Sequence, residues 1–292
     1  MKKLLAAALS AVLAVGLLAG CGSNGSGDDG SDSGSSAKTA QVIDVDLTEE
    51  EYAFGVDKSQ PELLEQVNAF ISKIKEDGTL DEIFDKYFGG GEPTPVESAV
   101  LDESKDQLVV ATNAAFEPFE YMQGDAYVGI DMEIAALLAE ELGQELVIQN
   151  MDFDAVCLSV GQQKCDIAMA GLTVSEERKE YVTFSDTYYQ ASQRLIVPSD
   201  DTTFKDMTDA EEIAAALAEL DSSVKIGVQQ GTTGNSYVEG SEDLGFPGLE
   251  ATCQTYKSGS LAVQDMLNGN IDYVIIDAAP AAAITEAINE MQ

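Results

Sequence analysis

The chain has 292 residues, with 15 Lys and Arg against 53 Asp and Glu, a formal charge of −38, and neither His nor Trp. Without His there is no Ser-His-Asp or Cys-His machinery and no imidazole metal site, and neither a metal nor a cofactor is expected. So acidic a chain has nothing with which to neutralise phosphates, which excludes nucleic-acid partners. Its 45% hydrophobic content is enough for one large or two medium domains.

Met1-Lys2-Lys3 and the apolar run Leu4 to Leu18 have the form of a secretory signal over 1–20, too short for a comfortable membrane span. The run ends in Leu18-Ala19-Gly20-Cys21, which resembles a bacterial lipobox. That resemblance implies cleavage before Cys21, its lipidation, and an extracytoplasmic chain anchored to the cell membrane by acyl chains. An ordinary signal with an incidental cysteine is the alternative. Residues 21–41 then read as a flexible Gly/Ser/Asp-rich spacer. Cys157, Cys165 and Cys253 remain, an odd number that cannot form a complete disulfide framework; Cys157 and Cys165 can pair or lie buried as thiols.

Past the spacer, short strands alternate with amphipathic helices, the pattern of α/β layers. Residues 42–47 read as a strand, and Ser59 is expected to cap a helix with Leu63, Leu64, Val67, Phe70, Ile71 and Ile74 on one face. A second helix carries Leu80, Ile83, Phe84 and Tyr87, and residues 89–98 are linker by composition. Strands are expected at 108–112, 145–149, 166–170, 193–197, 224–228, 252–256 and 271–276. Helices are expected at 131–142, 154–160, 210–220 and 261–267 and from 279 onwards, making two βαβ groups.

Ligands of such folds bind beyond the carboxyl ends of the strands, where the informative residues lie. The run Asp166 to Arg178 (DIAMAGLTVSEER) reads as strand, tight turn and a new helix capped by Ser175. There Gly171 exposes a backbone N–H, Thr173 offers a hydroxyl and an N–H, and Arg178 a planar fork. Together they suit a small carboxylate, with charge-assisted bonds of roughly 1.5–3 kcal/mol each. An exposed pairing of Arg178 with one of the many acids is the bland reading. The turn Gln229 to Gly234 (QQGTTG) precedes a helix N-terminus and also suits an anion, but lacks the P-loop lysine. Asp277 ends an apolar strand, where it can cap the next helix or meet a ligand ammonium.

These stretches, VVATNAAFEPFEYMQGDAYVGIDMEIAALLAEELG, MDFDAV, DIAMAGLTVSEERKEYVTFSDTYY, KIGVQQGTTGN and GNIDYVIIDAAP, resemble the bacterial extracellular solute-binding proteins of family 3, nearest to glutamine-binding members. The resemblance implies a type II periplasmic-binding-protein-like fold of two α/β lobes, a monomer that captures an amino acid and delivers it to the membrane subunits of an ABC importer. By this resemblance Gly171, Thr173, Arg178 and Thr233 hold the ligand α-carboxylate, Asp277 holds the ammonium, and Ala170 belongs to the ligand site. Phe116 and Phe153 match positions that sandwich the ligand, although by pattern alone they read as core. Asn113 and Gln229 match positions that meet the side chain, and the neutrality of Asn113 points to an uncharged polar amino acid such as glutamine. A dehydratase-like enzyme on the same fold and a tethered sensor are the alternatives.

The order of the segments departs from the family. Residues 52–89 resemble the segment that normally closes the chain, yet they precede the one that normally opens it. The implied arrangement is a circular permutation; a separate small domain at 41–98 followed by a truncated binding domain is the alternative. One lobe covers 53–187, including the joining linker 89–107, the other covers 193–292 with 42–47, and hinges lie at 48–52 and 188–192.

Overall fold

The structure, a computed structural model, describes residues 38–291. The expected signal, the expected lipidation site Cys21 and most of the expected spacer therefore lie outside the described residues. In chain order the elements are β1 (Ala40–Val42), β2 (Glu50–Asp57), α1 (Pro61–Glu76), α2 (Thr79–Phe88), β3 (Gln107–Thr112), β4 (Ala115–Phe116), β5 (Glu120–Gln123), β6 (Ala126–Val128), α3 (Ile130–Leu142) and β7 (Glu145–Asn150). A 3₁₀ turn (Phe153–Ala155) leads into α4 (Val156–Gly161), followed by β8 (Ile167–Ala168), α5 (Glu176–Lys179), β9 (Val182–Ala191), β10 (Gln193–Pro198) and α6 (Ala210–Ala218). The chain continues through β11 (Lys225–Gln229), α7 (Thr233–Glu239), β12 (Thr252–Tyr256), α8 (Gly259–Leu267), β13 (Tyr273–Asp277) and α9 (Ala278–Glu290).

Two mixed five-stranded sheets organise these elements, in the orders β7-β3-β8-β2-β9 and β1-β10-β13-β11-β12. Both are sandwiched between helices, so their central strands are apolar on both faces. In β3, Leu108 and Val110 point to the core of α1 and α3, whereas Val109 and Ala111 point to that of α4. In β13, Val274 and Ile276 face α8 and α9, and Ile275 faces α6 and α7. This period-two split is what a strand with two buried faces requires.

The early segment is built into the first sheet. Strand β2 lies between β8 and β9, antiparallel to both. Leu63, Val67, Phe70, Ile71 and Ile74 of α1 share a core with Leu108, Val110, Ile134 and Leu138. The chain passes between the sheets twice, between β1 and β2 and at Ser192 between β9 and β10. Glu50 pairs with Ala191 and Tyr52 with Tyr189, so much of 50–52 and 188–191 is paired strand rather than free connection.

Several local expectations are corrected. The residue capping α1 is Gln60, because Pro61 takes the first helical position. Ser59 accepts a hydrogen bond from Gln163 instead. The first strand stops at Val42, although Ile43 and Leu47 still donate to β10 carbonyls. Of the two alternatives left open for Cys157 and Cys165, the structure has the second: both are buried free thiols. Gly129, at φ +125°, could not be another residue: a Cβ there would stand 2.2 Å from the Phe119 carbonyl oxygen.

Candidate functional site

Loops leaving β7, β8 and β11 meet between the sheets. Ser175 caps the single turn of α5, its Oγ accepting from the Arg178 N–H at 3.2 Å. The half-buried Arg178 guanidinium donates to the Thr173 carbonyl at 2.7 Å and, across the gap, to the Gly231 carbonyl at 3.1 Å. It also lies 5.3 Å over the Phe153 ring, a cation–π distance. Arg178, Phe153, Gly231 and Thr233 line one cavity of about 160 Å³. Thr233 opens α7, whose cap Thr232 accepts from the Asn235 N–H.

Beside this cavity stands a second cluster. Gly171, at φ +52°, passes so close to Phe116 and Tyr52 that a Cβ would come 3.0 Å from the Phe116 ring and 3.3 Å from the Tyr52 ring. The Tyr52 hydroxyl donates to Asp277 Oδ1 at 2.5 Å, joining β2 of one sheet to β13 of the other. Asp277 is buried at the N-cap position of α9 but makes no capping bond. Burial, and then the nearby Glu50 charge, push its pKa up to about 7 against the hydrogen bond from Tyr52. Glu50 itself links the sheets, accepting from Thr173 Oγ1 at 2.6 Å and from Gln193 Nε2 at 3.0 Å. The Gly171 N–H donates to Asp131 Oδ2 at 2.9 Å, and Tyr188 donates to the other oxygen at 2.6 Å. Asp131 is fully buried, which raises its pKa to about 7 against those two bonds. Glu120, equally buried, has both oxygens without a hydrogen-bond partner. Burial and the charges of Asp131 and Asp277 hold its pKa well above the usual range.

A third contact crosses the gap where Gln229 Nε2 donates to Asn113 Oδ1 at 2.9 Å, while Asn113 Nδ2 donates to the Met151 carbonyl at 2.6 Å. Gln229 Oε1 is buried without a partner.

The residues singled out in the sequence thus fall into three adjoining groups. Arg178, Phe153 and Thr233 share the cavity; Phe116 and Gly171 adjoin Tyr52, which holds Asp277; Asn113 and Gln229 bond each other. Asp277, Phe116, Asn113 and Gln229 are not among the residues lining the cavity with Arg178, and Ala170 is wholly buried. Sequence reasoning passed over Tyr52, Glu50 and Glu120. For Glu120 the available signal was an acid set between two aromatic residues, Phe119 and Tyr121; Glu50, the middle one of three consecutive acids, gave none. No group of three or more Asp, Glu or Cys among the described residues is placed to hold a metal ion.

Comparison with known proteins settles the family. The model of the bacterial extracellular solute-binding proteins, family 3, matches residues 8–90 and 108–287. The chain belongs to that family. Its description is of extracellular solute binding. Among similar curated proteins are the arginine-binding extracellular protein ArtP of Bacillus subtilis (strain 168), 37% identical over 34% of this chain and 39% of ArtP, and the ABC transporter arginine-binding protein 1 of Escherichia coli (strain K12), 27% identical over 60% of this chain and 64% of that protein. A probable histidine-binding protein of Neisseria gonorrhoeae is 27% identical over 59% of each chain. The aligned stretches therefore span less than two thirds of these relatives.

Among solved structures, an ancestral arginine-binding protein bound to arginine superposes with a TM-score of 0.53 at 30% identity, over 63% of this chain and 75% of that one. Holo ArgBP from T. maritima gives 0.54 at 31%, over 65% and 78%. The ancestral amino acid-binding protein AncCDT-1, a precursor of cyclohexadienyl dehydratase, gives 0.53 at 28%, over 72% and 79%. The two sheets are those of the two-lobe periplasmic-binding-protein fold.

Proposed function

We propose that this protein captures a free amino acid between its two sheets and delivers it to an ABC importer. The carrying observation is the small cavity in which the Arg178 guanidinium, the Phe153 ring and the first turn of α7 face one another. In this reading Arg178 takes the ligand carboxylate by a bidentate pair, displacing its bond to the Gly231 carbonyl, with Thr173 and Thr233 as neighbouring donors. Asp277, held on one side by the Tyr52 hydroxyl, takes the ammonium. A buried carboxylate near pKa 7 ionises readily when a cation arrives. Phe116 and Phe153 flank the ligand, Ala170 and Gly171 form the floor, and Asn113 with Gln229 meets the side chain.

The Asn113–Gln229 end is uncharged, which favours a polar neutral ligand such as glutamine. A cationic ligand is the second reading, favoured by the buried acids Glu120, Asp131 and Asp277 and by relatives named for arginine and histidine. A thermal-shift screen of twenty amino acids, followed by calorimetry, distinguishes the two. Arg178→Ala is expected to weaken binding at least a hundredfold, and Arg178→Lys to restore only part of it, since a point charge cannot make the forked contact. Unchanged affinity in Arg178→Ala would sink this assignment.

The wider arrangement belongs to the same proposal. Cys21 carries the lipid anchor, the strand-lined crossings around 48–52 and 188–192 are the hinge, and the sheets with their helices are lobes of 53–187 and of 193–292 plus 42–47. The chain is a circular permutant, a reading supported by β2 and α1 lying inside the first sheet's layer and by the family match in two blocks separated by 91–107.

A further inference from the structure

Beyond the cavity-lining contacts, one turn on the second sheet's side reaches across to the loop that carries Arg178. After α7 the backbone closes a tight turn in which Ser241 N–H donates to the Phe246 carbonyl at 2.9 Å and Phe246 N–H returns to the Ser241 carbonyl at 2.8 Å. The Leu244 N–H donates to Ser241 Oγ at 3.2 Å, and the Phe246 ring packs 5.2 Å from Tyr237 of α7. This pre-formed turn presents Asp243, whose Oδ2 accepts the backbone N–H groups of Glu176 at 2.8 Å and Glu177 at 3.2 Å. Those are the first two residues of α5, directly before Arg178, and Asp243 and Leu244 line the Arg178 cavity. The contact joins a row of bonds across the same rim: Arg178 to the Gly231 carbonyl, Gln230 Nε2 to Asp154 Oδ2 at 2.8 Å, and Lys257 to Asp152 at 3.0 Å.

Two features suit this contact to opening and closing rather than to permanent structure. The Asp243 carboxylate satisfies backbone donors that a helix start otherwise leaves to water, so the bond is favourable and directional. It is also made beside the acidic side chains of Glu176 and Glu177, whose like charge weakens it, with Lys179 offsetting only Glu176 at 2.5 Å. We propose that the Ser241–Phe246 turn is a closure latch, in which Asp243 clasps the α5 turn, fixes Arg178 and slows the escape of the bound ligand. The ligand half of the statement rests on the function proposed above; the clasp itself does not. Asp243 makes no hydrogen bond to Arg178 and acts on it through the α5 turn, as a positioning residue.

The test is amide hydrogen exchange at Glu176 and Glu177 in the wild type, Asp243→Ala and Asp243→Asn, alone and with L-arginine, L-histidine or L-glutamine. Stopped-flow dissociation of whichever probe binds is measured alongside. Expected is protection of both amides in the wild type in at least one condition, lost tenfold or more in Asp243→Ala and in part in Asp243→Asn, with β3 amides unchanged. Dissociation of a bound probe should quicken about tenfold while association stays the same. Rapid exchange at both amides in the wild type under every condition overturns the latch. So does undiminished protection in Asp243→Ala. Should none of the three probes bind, the ligand assignment fails, while the exchange data still decide the clasp.

Discussion

At the scale of single residues, the unusual expense of this fold is its buried acid. Asp131 and Asp277 each ionise near pH 7 instead of near 4, chiefly because burial strips water from the carboxylate. Between those values the folded state holds more protons than the unfolded chain, so stability falls as pH rises from about 4 to about 7. One such carboxyl accounts for roughly 4 kcal/mol over that interval. Thermal melts should therefore show a higher midpoint at pH 5 than at pH 8. Asp131→Asn should flatten much of that slope, since the amide can accept from the Gly171 N–H and donate to the Tyr188 oxygen; an unchanged slope would contradict the assignment. Ligand binding should run the other way. On the proposed reading, in which Asp277 takes the ligand ammonium in its ionised form, affinity measured by calorimetry should decline as pH drops below about 7.

At the scale of elements, what was legible followed periodicity and caps. The apolar face of α1, the Ser175 cap before Arg178 and the Gly143 stop of α3, in left-handed conformation at φ 71°, are all written in local residues. Strand β9 was not read, although it is ten residues long. Its ladder with β2 slips register at Tyr52/Ala53 and Ala53/Gly55, which destroys the alternation that marks a strand. The hairpins of β4, β5 and β6 escaped for a different reason, because segments of two to four residues carry no measurable period. At the site, Arg178, Thr233 and Asp277 stood out because charged or cap-forming residues followed apolar strands. Tyr52 gave no such sign, since its role depends on a partner 225 positions away. Gly129 shows how tightly the β6–α3 junction is drawn. Gly129→Ala should cost at least about 2 kcal/mol in a denaturant titration, combining a left-handed backbone with a blocked approach to the Phe119 carbonyl.

For the whole molecule, the charge of −38 sets a repulsive background that scattered ion pairs do little to relieve. Most of those present are substantially exposed, such as Lys73–Glu141 and Lys105–Glu145, and pairs of this kind contribute little. Cohesion rests on the helix-covered sheets and on the strands between which the chain crosses. Their connectivity invites a direct test of permutation. A variant opened between Gly90 and Gly91 and joined from Met291 to Lys38 through a short flexible linker should restore the family's segment order. It should melt within a few degrees of the parent and give the same circular dichroism. Failure to fold would count against the permuted reading.

That rearrangement is plausible because Asn289 near the end of α9 grips Ala40 at both backbone groups, at 2.9 and 2.8 Å. The grip has a mechanical side. Strand β1 is a three-residue edge, and any load entering through residue 38 meets it before anything else. Tension should peel that short zipper from β10 while the Arg178 cavity stays intact, making Asn289 the rivet that decides how hard the chain can be tugged.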